Sequence, residues 1–438
     1  MASPGDLRRQ LGLATGIALV VGEVIGVGIF LTPAGMAKAL GSPMWLLMVW
    51  LVMGAATLAG ALCLGELAAR YPEAGGGYVY LREAYGPGVA FLFGWMSLVV
   101  MDPGITAALA VGLASYAGYV IPLTDVGRTA VAAGVILTLA AVNILGVQLS
   151  AGVLRGMTAL KLGLLGLIVC WGFGSGRGDW SHFTPFVEQY PGSSPLAEAL
   201  ATGLVAAFFS FAGWWNISKM TGELRDPGRT VPRALLFGVL IVTVIYVAVS
   251  GVFLYLVPLG EVTNDQSFAA QVGEVLFGRV GGEVFAGVVI VAVLGSLASI
   301  ILGAPRVYYA MARDGLFLRS VAAVHPRFGT PARAVALQAG VACLLLMFGT
   351  FDQILGYFFF SAVAFVALTI SAVYVLRRHS PTPGYHTPGY PVTPLLFLVP
   401  VAVLLALLAM SDPLRAGTGV AVVLLGIPVY RLVFHRHG

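Results

Sequence analysis

The sequence contains little charge. Lys, Arg, Asp and Glu make up 10% of the 438 residues, whereas the AVILMFWYC set makes up 59% and the mean hydropathy is +0.93. A soluble domain is nearer to about half apolar and a quarter charged. This composition excludes a soluble globular protein and predicts an integral membrane protein.

Histidine, cysteine and long polar segments are also scarce. The six histidines fall in loops or in the C-terminal tail, and Cys63, Cys170 and Cys343 lie in apolar segments without metal-ligand spacing to a histidine. The apolar segments therefore lack the metal ligands or the nucleophile–base set of a membrane enzyme. We expect no metal, no cofactor, no enzymatic activity, no signalling domain and no cleavable signal peptide.

Apolar runs of helical length recur along the whole chain. A hydrocarbon core about 30 Å thick needs roughly 20 apolar residues per helix, and the runs lack the alternation of a membrane β-barrel. They predict an all-α protein with twelve membrane spans, at residues 13–38, 44–68, 88–120, 127–148, 155–175, 197–220, 233–257, 281–304, 333–350, 353–376, 392–411 and 415–433.

The basic residues are distributed unevenly between the loops. If the N-terminus is cytoplasmic, most of the 24 Lys and Arg residues fall in cytoplasmic loops and span ends. The positive-inside rule then predicts a multi-pass protein of the plasma (inner) membrane with both termini in the cytoplasm. Because the charges are spread over many loops, they form no basic face for nucleic acid. The lipid bilayer is the expected surrounding.

Two spans carry interruptions at corresponding positions. Span one contains GEVIGVG, and span six, five spans later, contains FSFAGWWN. Because five is odd, these spans cross the membrane in opposite directions, as in inverted-repeat transporters. The predicted organisation is a cytoplasmic N-terminus (1–12), a first repeat (13–175), an extracellular loop (176–196), a second repeat (197–376), a cytoplasmic linker (377–391), and two further spans with a short C-terminus (392–438).

The first interruption offers backbone groups to a ligand. A broken helix is tolerated in lipid only where its freed N–H and C=O groups meet a cavity or a ligand. The N–H groups of Gly26, Val27 and Gly28 would begin a second half-helix and favour an anion. The carbonyls around Glu23 and Val24 favour a cation. The pair matches the two charged ends of a free amino acid; the alternative is a close helix contact made by the glycines.

Three ionisable residues, Glu23, Asp102 and Lys161, fall inside spans. Such residues cost at least ~2.5 kcal/mol each in the bilayer and are functional by default. Glu23 and Lys161 could form a neutralising structural pair, or Lys161 could place its ammonium where a sodium-coupled transporter holds a sodium ion. Asp102 precedes Pro103 at an expected kink. It could be protonated, line the pore or face a wet vestibule.

Aromatic residues cluster at the second interruption. A bulky side chain beside a broken helix can close a substrate site as a gate, or it can simply pack in the core. The candidates are Phe208, Phe209, Phe211, Trp214 and Trp215.

The motifs resemble those of the amino acid–polyamine–organocation superfamily. VVGEVIGVGIFLTP is similar to its first-helix motif, and FFSFAGWWNISKMTGELRDPGRTVPRAL resembles the sixth-helix region of its L-type amino acid transporter branch. PRVYYAMARDG, HPRFGTPARAV and PGYPVTP resemble stretches that recur after helices eight and ten. The resemblance covers nearly the whole chain. It implies a LeuT-like fold, in which twelve helices include a five-plus-five inverted repeat with broken helices one and six.

The resemblance also implies roles for single residues. Backbone amides would bind the substrate carboxylate, carbonyls of Val24, Phe209 and Ala212 would bind its amine, and Phe209 would be the gate. Lys161 would tie helix one to helix eight, with Ser296 or Ser299 as its partner. The implied substrate site is Val24, Ile25, Gly26, Val27, Gly28, Phe209, Ser210, Ala212, Gly213 and Trp214.

The sequence departs from the family at three places. Members usually carry a neutral residue in place of Glu23, and agmatine-type exchangers carry a glutamate where this chain has Trp215. Animal L-type transporters join a glycoprotein heavy chain through a cysteine between helices three and four. The corresponding segment here, IPLTDVGRT, has no cysteine, so we expect no disulfide-linked heavy chain.

The function implied is sodium-independent transport of amino acids, in particular exchange of neutral L-amino acids by alternating access. A proton-coupled amino acid symporter is one alternative, with Glu23 near Lys161 as the group that binds the proton. A cationic amino acid or polyamine transporter is another, in which Glu23 and Asp102 meet a second positive charge. A channel is disfavoured because the spans contain too few polar residues for a continuous polar lining.

Overall fold

The described residues form helices joined by short loops. The structure, a computed structural model, describes residues 7–262, 268–347, 351–379 and 384–434. Within these ranges the only β-type pairing is an isolated bridge between Leu11 and Leu224. The all-α prediction is confirmed for this part of the chain. Residues 1–6 and 435–438 of the predicted termini, 348–350 of the ninth span and 380–383 of the linker lie outside it.

The first membrane span is broken, as the glycines predicted. Helix α1 (Leu13–Val24) and helix α2 (Gly28–Leu40) are inclined at 46° to each other across three non-helical residues. Four further spans and one short helix follow. These are α3 (Pro43–Arg70), the short α4 (Gly77–Tyr85), α5 (Pro87–Met96) continued through a π-helix (Ser97–Met101) into α6 (Asp102–Val120), α7 (Asp125–Leu145) and α8 (Val147–Gly174).

The second half begins with another interrupted helix, α9 (Leu196–Phe211), which passes through Ala212 and Gly213 into a 3-10 helix (Trp214–Glu223). The remaining elements are α10 (Pro227–Leu256), α11 (Phe268–Phe277), α12 (Gly281–Gly303), α13 (Pro305–Arg313), α14 (Ala332–Leu345), α15 (Phe351–His379), α16 (Val392–Ser411), α17 (Pro413–Leu424) and α18 (Gly426–Val429), with short 3-10 turns at Trp180–Phe183, Leu259–Glu261, Gly278–Val280 and Arg319–Ala322 and a final π-helix at Tyr430–Phe434.

Eleven of the twelve predicted spans are long and apolar enough to cross a bilayer. Among the described residues ten continuous helical segments meet this criterion, and the bent pair of α1 and α2 makes the eleventh. Helix α14 is apolar but has only 14 residues. A twelfth span therefore stays a prediction.

Several span boundaries differ from the predicted ones. Helix α8 begins at Val147 instead of residue 155, directly after Gly146, whose φ of 159° ends α7. Helix α10 begins at Pro227 instead of residue 233. Proline lacks an N–H and suits the first position of a helix, and Pro232, one turn and a half later, is tolerated inside the helix.

Helix α4 corrects an expectation about the segment between spans two and three. The sequence of this segment, YPEAGGGYVYLREAYGPG at residues 71–88, mixes aromatics with Arg82 and Glu83 and predicts a short interfacial helix on the inner leaflet. In the structure Tyr78 and Tyr80 are fully buried, and α4 packs on α5, α13 and α15. The aromatic side chains therefore face protein instead of lipid.

Two groups of helices flank the centre of the molecule. Helices α1, α2, α3, α9 and α10 pack extensively on one another, and so do α6, α7, α12 and α14. We call these the first and second helix groups. Helix α8 contacts α1 and α10 of the first group as well as α7 and α12 of the second. Both broken spans belong to the first group and face the second.

Candidate functional site

A cavity of about 120 Å³ lies where the two broken spans face α6, α12 and α15. The first break lines it with Glu23, Val24, Gly26, Val27 and Gly28, and the second with Phe209, Ser210, Ala212, Gly213, Trp215 and Asn216. The other lining residues are Met101, Ile105, Ala108, Leu109, Ser296, Ile300, Phe359, Ala362 and Val363. The structure thus brings most of the residues of both predicted interruptions to one cavity.

Glycine permits the close approach of the two broken spans. A Cβ atom on Gly28 would lie 2.8 Å from the Cα atom of Ser210, closer than real Cβ contacts allow. Gly213 has a φ of 108°, a conformation that other residues rarely adopt. A Cβ there would also lie 2.8 Å from Cγ of Glu23. Helix α2 therefore rests on α9, and the Glu23 side chain lies against the second break.

The N-terminus of α2 presents free backbone donors. Among the described residues, no hydrogen-bond acceptor meets the N–H groups of Val27, Gly28 or Ile29. The Gly26 N–H, predicted to be a ligand donor, instead donates to the Val24 carbonyl at 2.8 Å. Free donors at a positive helix end favour an anion.

The carbonyls at the C-terminus of α1 are occupied by protein donors. Lys161 Nζ donates to the carbonyls of Gly22 and Ile25 at 2.8 and 2.5 Å, and Ser296 Oγ lies 3.1 Å from the Glu23 carbonyl. The Val24 carbonyl accepts from the Gly26 N–H and lies 2.9 Å from the Tyr246 hydroxyl. The end of α1 therefore offers few free acceptors to a ligand.

The Tyr246 hydroxyl lies between the two breaks. It is 2.9 Å from the Val24 carbonyl and 2.7 Å from the Ser210 carbonyl, and the side chain is fully buried on α10. The sequence analysis did not single this residue out. A tyrosine in an otherwise aliphatic stretch of a membrane span was the available signal, because a buried phenol needs a hydrogen-bond partner.

Lys161 ties α8 to both α1 and α12. Its third partner is the carbonyl of Ala292 at 2.8 Å, and the side chain is 1% exposed. This carbonyl replaces Ser296 and Ser299, the residues expected to be its helix-eight partners. Their hydroxyls bond to α1 instead: Ser299 Oγ lies 3.1 Å from the Leu19 carbonyl. The side chains of α12 thus hold α1 directly.

Glu23 lies at the cavity wall between three helical segments. Its Oε1 accepts a hydrogen bond from Asn216 Nδ2 of the 3-10 helix, and its Oε2 accepts one from Ser299 Oγ of α12 at 3.0 Å. The ion pairs of the described residues do not include Glu23. The hypothetical pair with Lys161 does not form here, since the lysine bonds only to carbonyls.

Asp102 is buried beside the cavity instead of lining it. The carboxylate pairs with Lys219 Nζ at 2.9 Å, with both side chains at most 2% exposed, and accepts a hydrogen bond from Ser97 Oγ at 2.5 Å. The π-helix ends immediately before Asp102 and Pro103, where proline removes a backbone donor. The structure shows none of the three environments predicted for Asp102. It shows a buried ion pair instead.

The 3-10 helix Trp214–Glu223, which carries Lys219, takes part in a second buried ion pair through Glu223. Arg306 Nε of α13 lies 2.7 Å from Glu223 Oε1, and neither side chain is exposed. Lys219 and Arg306 were expected among the basic residues of cytoplasmic loops and span ends, but both are buried. Lys219 lies within predicted span six and Arg306 directly after predicted span eight, and a basic residue at or beside an apolar segment was the available signal for burial.

Two polar atoms that belong to residues of the cavity lining have no hydrogen-bond partner among the described residues. They are the Oδ1 atom of Asn216 and the Nε1 atom of Trp215, both buried. Trp214, which belonged to the predicted site, does not line the cavity, since it packs on Phe397 with ring centroids 5.7 Å apart. Ile25 is also outside the lining, and its carbonyl holds Lys161. In the described part of the chain, no three His, Cys, Asp or Glu residues cluster as metal ligands would.

Phe209 is the aromatic residue of the second break that faces both the cavity and the opposite helix. Its ring packs edge-to-face on Phe359 of α15 with centroids 5.7 Å apart. Phe208 packs on the same ring from the neighbouring position, at 6.0 Å. Phe359 thus joins the second break to α15 across the cavity, where it also contributes to the lining.

Comparison with known proteins adds an independent line of evidence. The family model described as "Amino acid permease" matches residues 11–430. The serine/threonine exchanger SteT of Bacillus subtilis is 30% identical over 97% of this chain and 96% of its own length. The b(0,+)-type amino acid transporter 1 of Oryctolagus cuniculus is 30% identical over 85% and 77%, and the large neutral amino acids transporter small subunit 2 of Homo sapiens is 29% identical over 98% and 82%. The chain therefore belongs to the amino acid permease family of the amino acid–polyamine–organocation superfamily, and it is a multi-pass membrane transport protein and not an enzyme.

Proposed function

We propose that this protein exchanges neutral L-amino acids across the plasma membrane, without sodium, by alternating access. The observation that carries the proposal is the convergence of two broken spans on one small cavity. Residues at the N-terminus of α2, whose N–H groups have no acceptor among the described residues, and residues at the C-terminus of α9 both line it. No covalent chemistry is required, because transport needs only a site that is open to each side in turn.

The substrate carboxylate would bind at the N-terminus of α2. The N–H groups of Val27 and Gly28 line the cavity without a protein acceptor. Ala212, at the end of α9, lines the same cavity, and its carbonyl has no donor among the described residues. The carbonyls predicted at Val24 and Phe209 are less available, since Val24 is bonded as described and Phe209 accepts the Ala212 N–H at 3.2 Å.

The rest of the cavity favours a neutral side chain. Its wall on α6 and α15 consists of apolar residues, among them Ile105, Ala108 and Val363. Burial of a side-chain charge against such a wall would be costly without a partner. Relatives described as exchanging serine and threonine or as transporting large neutral amino acids support a neutral substrate.

Lys161 supports sodium independence. Its ammonium is surrounded by three backbone carbonyl oxygens, those of Gly22, Ile25 and Ala292. Oxygen ligands of this kind suit a hard cation. Because the lysine supplies the positive charge from within the protein, a sodium ion is not needed to hold α1 against α12.

Alternating access would occur by movement of one helix group against the other. In the two breaks, α2 packs on α9 while α1 packs on the 3-10 helix, as expected if the two spans run in opposite directions. This pairing supports the five-plus-five inverted repeat, with α14 as the ninth of twelve spans. Phe209 would act as the gate that covers the substrate. Both termini would be cytoplasmic, and no heavy chain would be attached by a disulfide.

Of the alternatives, the cationic amino acid or polyamine transporter loses one of its two acidic residues. Asp102 is neutralised by Lys219 and lies outside the cavity lining. Proton-coupled symport through Glu23 keeps one supporting observation, namely that this carboxylate reaches the cavity without an ion pair.

An exchange assay in proteoliposomes tests the proposal. Vesicles that contain the purified protein are loaded with an unlabelled neutral L-amino acid, and uptake of a labelled one is measured. We expect uptake to be stimulated by internal amino acid, to be equal in sodium and choline buffers, and to need no pH gradient. Lack of trans-stimulation by every amino acid tested would contradict exchange, and accumulation driven by an inward proton gradient would favour symport.

A further inference from the structure

We propose that the Glu23 carboxylate and the Asn216 side-chain carbonyl form the receptor for the ammonium group of the substrate. The inference rests on the proposed function and assigns the amine end of the amino acid to side chains instead of to the carbonyls of α1. It gives the residue that departs from the family a specific task in recognition.

The backbone carbonyls at the end of α1 already accept hydrogen bonds from the protein. The carbonyls of Gly22, Glu23, Val24 and Ile25 each have at least one protein donor. The Val24 carbonyl accepts from the Gly26 N–H and also lies 2.9 Å from the Tyr246 hydroxyl, whose single proton is shared with the Ser210 carbonyl at 2.7 Å. These carbonyls therefore have less capacity left for an incoming ammonium group than an acceptor without any donor.

The side-chain carbonyl of Asn216, by contrast, has no donor among the described residues. Asn216 is 5% exposed and lines the cavity, and its Oδ1 atom is buried. Its orientation is fixed, because Nδ2 donates to Glu23 Oε1. A buried polar atom without a partner costs free energy. A substrate donor at this point would satisfy it.

The charge of the Glu23 carboxylate is the third feature that favours an ammonium group here. Glu23 accepts hydrogen bonds from Asn216 and Ser299, but no cation in the described part of the chain pairs with it. The nearby ammonium of Lys219 is held by both oxygens of Asp102, at 2.9 and 3.0 Å. A carboxylate oxygen has lone pairs for further donors. A substrate ammonium would supply the missing positive charge.

Together these groups match the three donors of an ammonium ion. Glu23, Asn216 Oδ1 and the free carbonyl of Ala212 would each accept one N–H, while the carboxylate of the same substrate lies at the N-terminus of α2. The site would then require an α-ammonium and would leave the apolar wall for a neutral side chain. In this way a transporter with an acidic residue in its site would still select neutral amino acids.

The experiment compares ligands that differ only at the amine. Binding of L-leucine and of its 2-hydroxy analogue, (S)-2-hydroxy-4-methylpentanoate, is measured by competition on purified protein, for the wild type and for Glu23→Gln. Because a hydrogen bond to a charged group contributes about 10- to 100-fold in affinity, we expect the preference of the wild type for leucine to fall by at least ~10-fold in the variant.

A matched variant separates recognition from positioning. Ser299→Ala removes the other hydrogen bond to Glu23 but leaves the carboxylate and the cavity lining in place, so it should lower the leucine-to-hydroxy-acid ratio clearly less than Glu23→Gln does. If Glu23→Gln does not fold, Asn216→Ala is measured by the same ratio, which should again fall.

Other results would overturn the inference. An unchanged leucine-to-hydroxy-acid ratio in Glu23→Gln, with equal weakening of both ligands, would assign Glu23 a structural role. A collapse of the ratio between L-lysine and L-norleucine, with the leucine ratio intact, would make Glu23 a receptor for side-chain cations. Failure of the wild type to bind any amino acid would instead reject the proposed function itself.

Discussion

Replacement of Lys161 is expected to loosen the broken first span. In Lys161→Met the chain keeps a side chain of similar length but loses the three hydrogen bonds to Gly22, Ile25 and Ala292. The Ile25 carbonyl then has no donor, and the single Ser296 proton, which lies within reach of the Gly22 and Glu23 carbonyls at 3.0 and 3.1 Å, can serve only one of these two. The Ala292 carbonyl keeps its helical N–H donor. The connection between α1, α8 and α12 is thereby removed.

The magnitude follows from these partners. Each of the two buried carbonyls left without a donor costs about 1–3 kcal/mol. Relief from burying an ammonium offsets part of the loss. We expect a net destabilisation of about 2–4 kcal/mol. At an unfolding entropy of about 2 cal/mol/K per residue, this lowers the melting temperature by roughly 2–4 °C.

Lys161→Ala should behave differently, because it leaves a hole beside the three carbonyl oxygens. If sodium occupied this hole with a dissociation constant of about 10 mM, 150 mM sodium would restore roughly 1.6 kcal/mol. The assay is thermal unfolding of the purified protein in detergent, in sodium chloride or choline chloride at equal ionic strength. Sodium should raise the melting temperature of Lys161→Ala but not that of Lys161→Met or the wild type.

Two results would refute this reasoning. A melting temperature of Lys161→Met within about 1 °C of the wild type would mean that the three hydrogen bonds contribute no net stability. Stabilisation of the wild type by sodium, as large as that of the alanine variant, would mean that the protein binds sodium elsewhere, and it would undermine the argument for sodium independence.

Two further predictions concern the contacts around the breaks. Gly28→Ala should reduce amino acid uptake at least ~10-fold, because its Cβ would meet the Ser210 backbone at 2.8 Å and a ~1 Å misplacement in a site can cost this much or more. Gly35→Ala on the same helix is the control. It has open space around it and should transport normally. Arg306→Met should lower the free energy of unfolding by about 3–5 kcal/mol, because it leaves the buried Glu223 charge without a partner. The double variant Arg306→Met/Glu223→Gln should regain most of that loss in thermal unfolding. A double variant as unstable as the single one would contradict the explanation.

The breaks were predictable because their causes are local. A glycine-rich stretch with a carboxylate inside an apolar run conflicts with an uninterrupted helix, and the physics of lipid allows such a stretch only at a cavity. The structure places Gly26, Gly28 and Gly213 at that cavity. The burial of α4 was not predictable in this way, because an aromatic helix that faces protein has the same composition as one that faces lipid.

The partners of the polar groups depend on tertiary structure and could not be derived from the sequence. Nothing in the neighbourhood of Val24 indicates that its carbonyl is bonded by Tyr246, which lies 222 residues away. The same holds for Lys219, whose partner Asp102 is 117 residues distant. Family resemblance supplied the elements of the site, but the occupancy of each acceptor required coordinates.

The kind of contact between the helix groups supports movement along the boundary between them. Apolar side chains fill much of the core within each group. Several contacts from the broken spans to helices outside the first group are instead polar, such as Ser296 and Ser299 of α12 to α1, Lys219 to Asp102 of α6, and Glu223 to Arg306 of α13. Apolar packing at interior density resists sliding, because each shift opens voids. A hydrogen bond can exchange its partner for water at a net cost of only about 0.5–1.5 kcal/mol. Each of the two ion pairs has one partner, Lys219 or Glu223, on the 3-10 helix beyond the cavity. Opening on that side would therefore require water to reach and solvate these two side chains. The stability of these pairs would then set which side of the transporter stays closed when the cavity is empty.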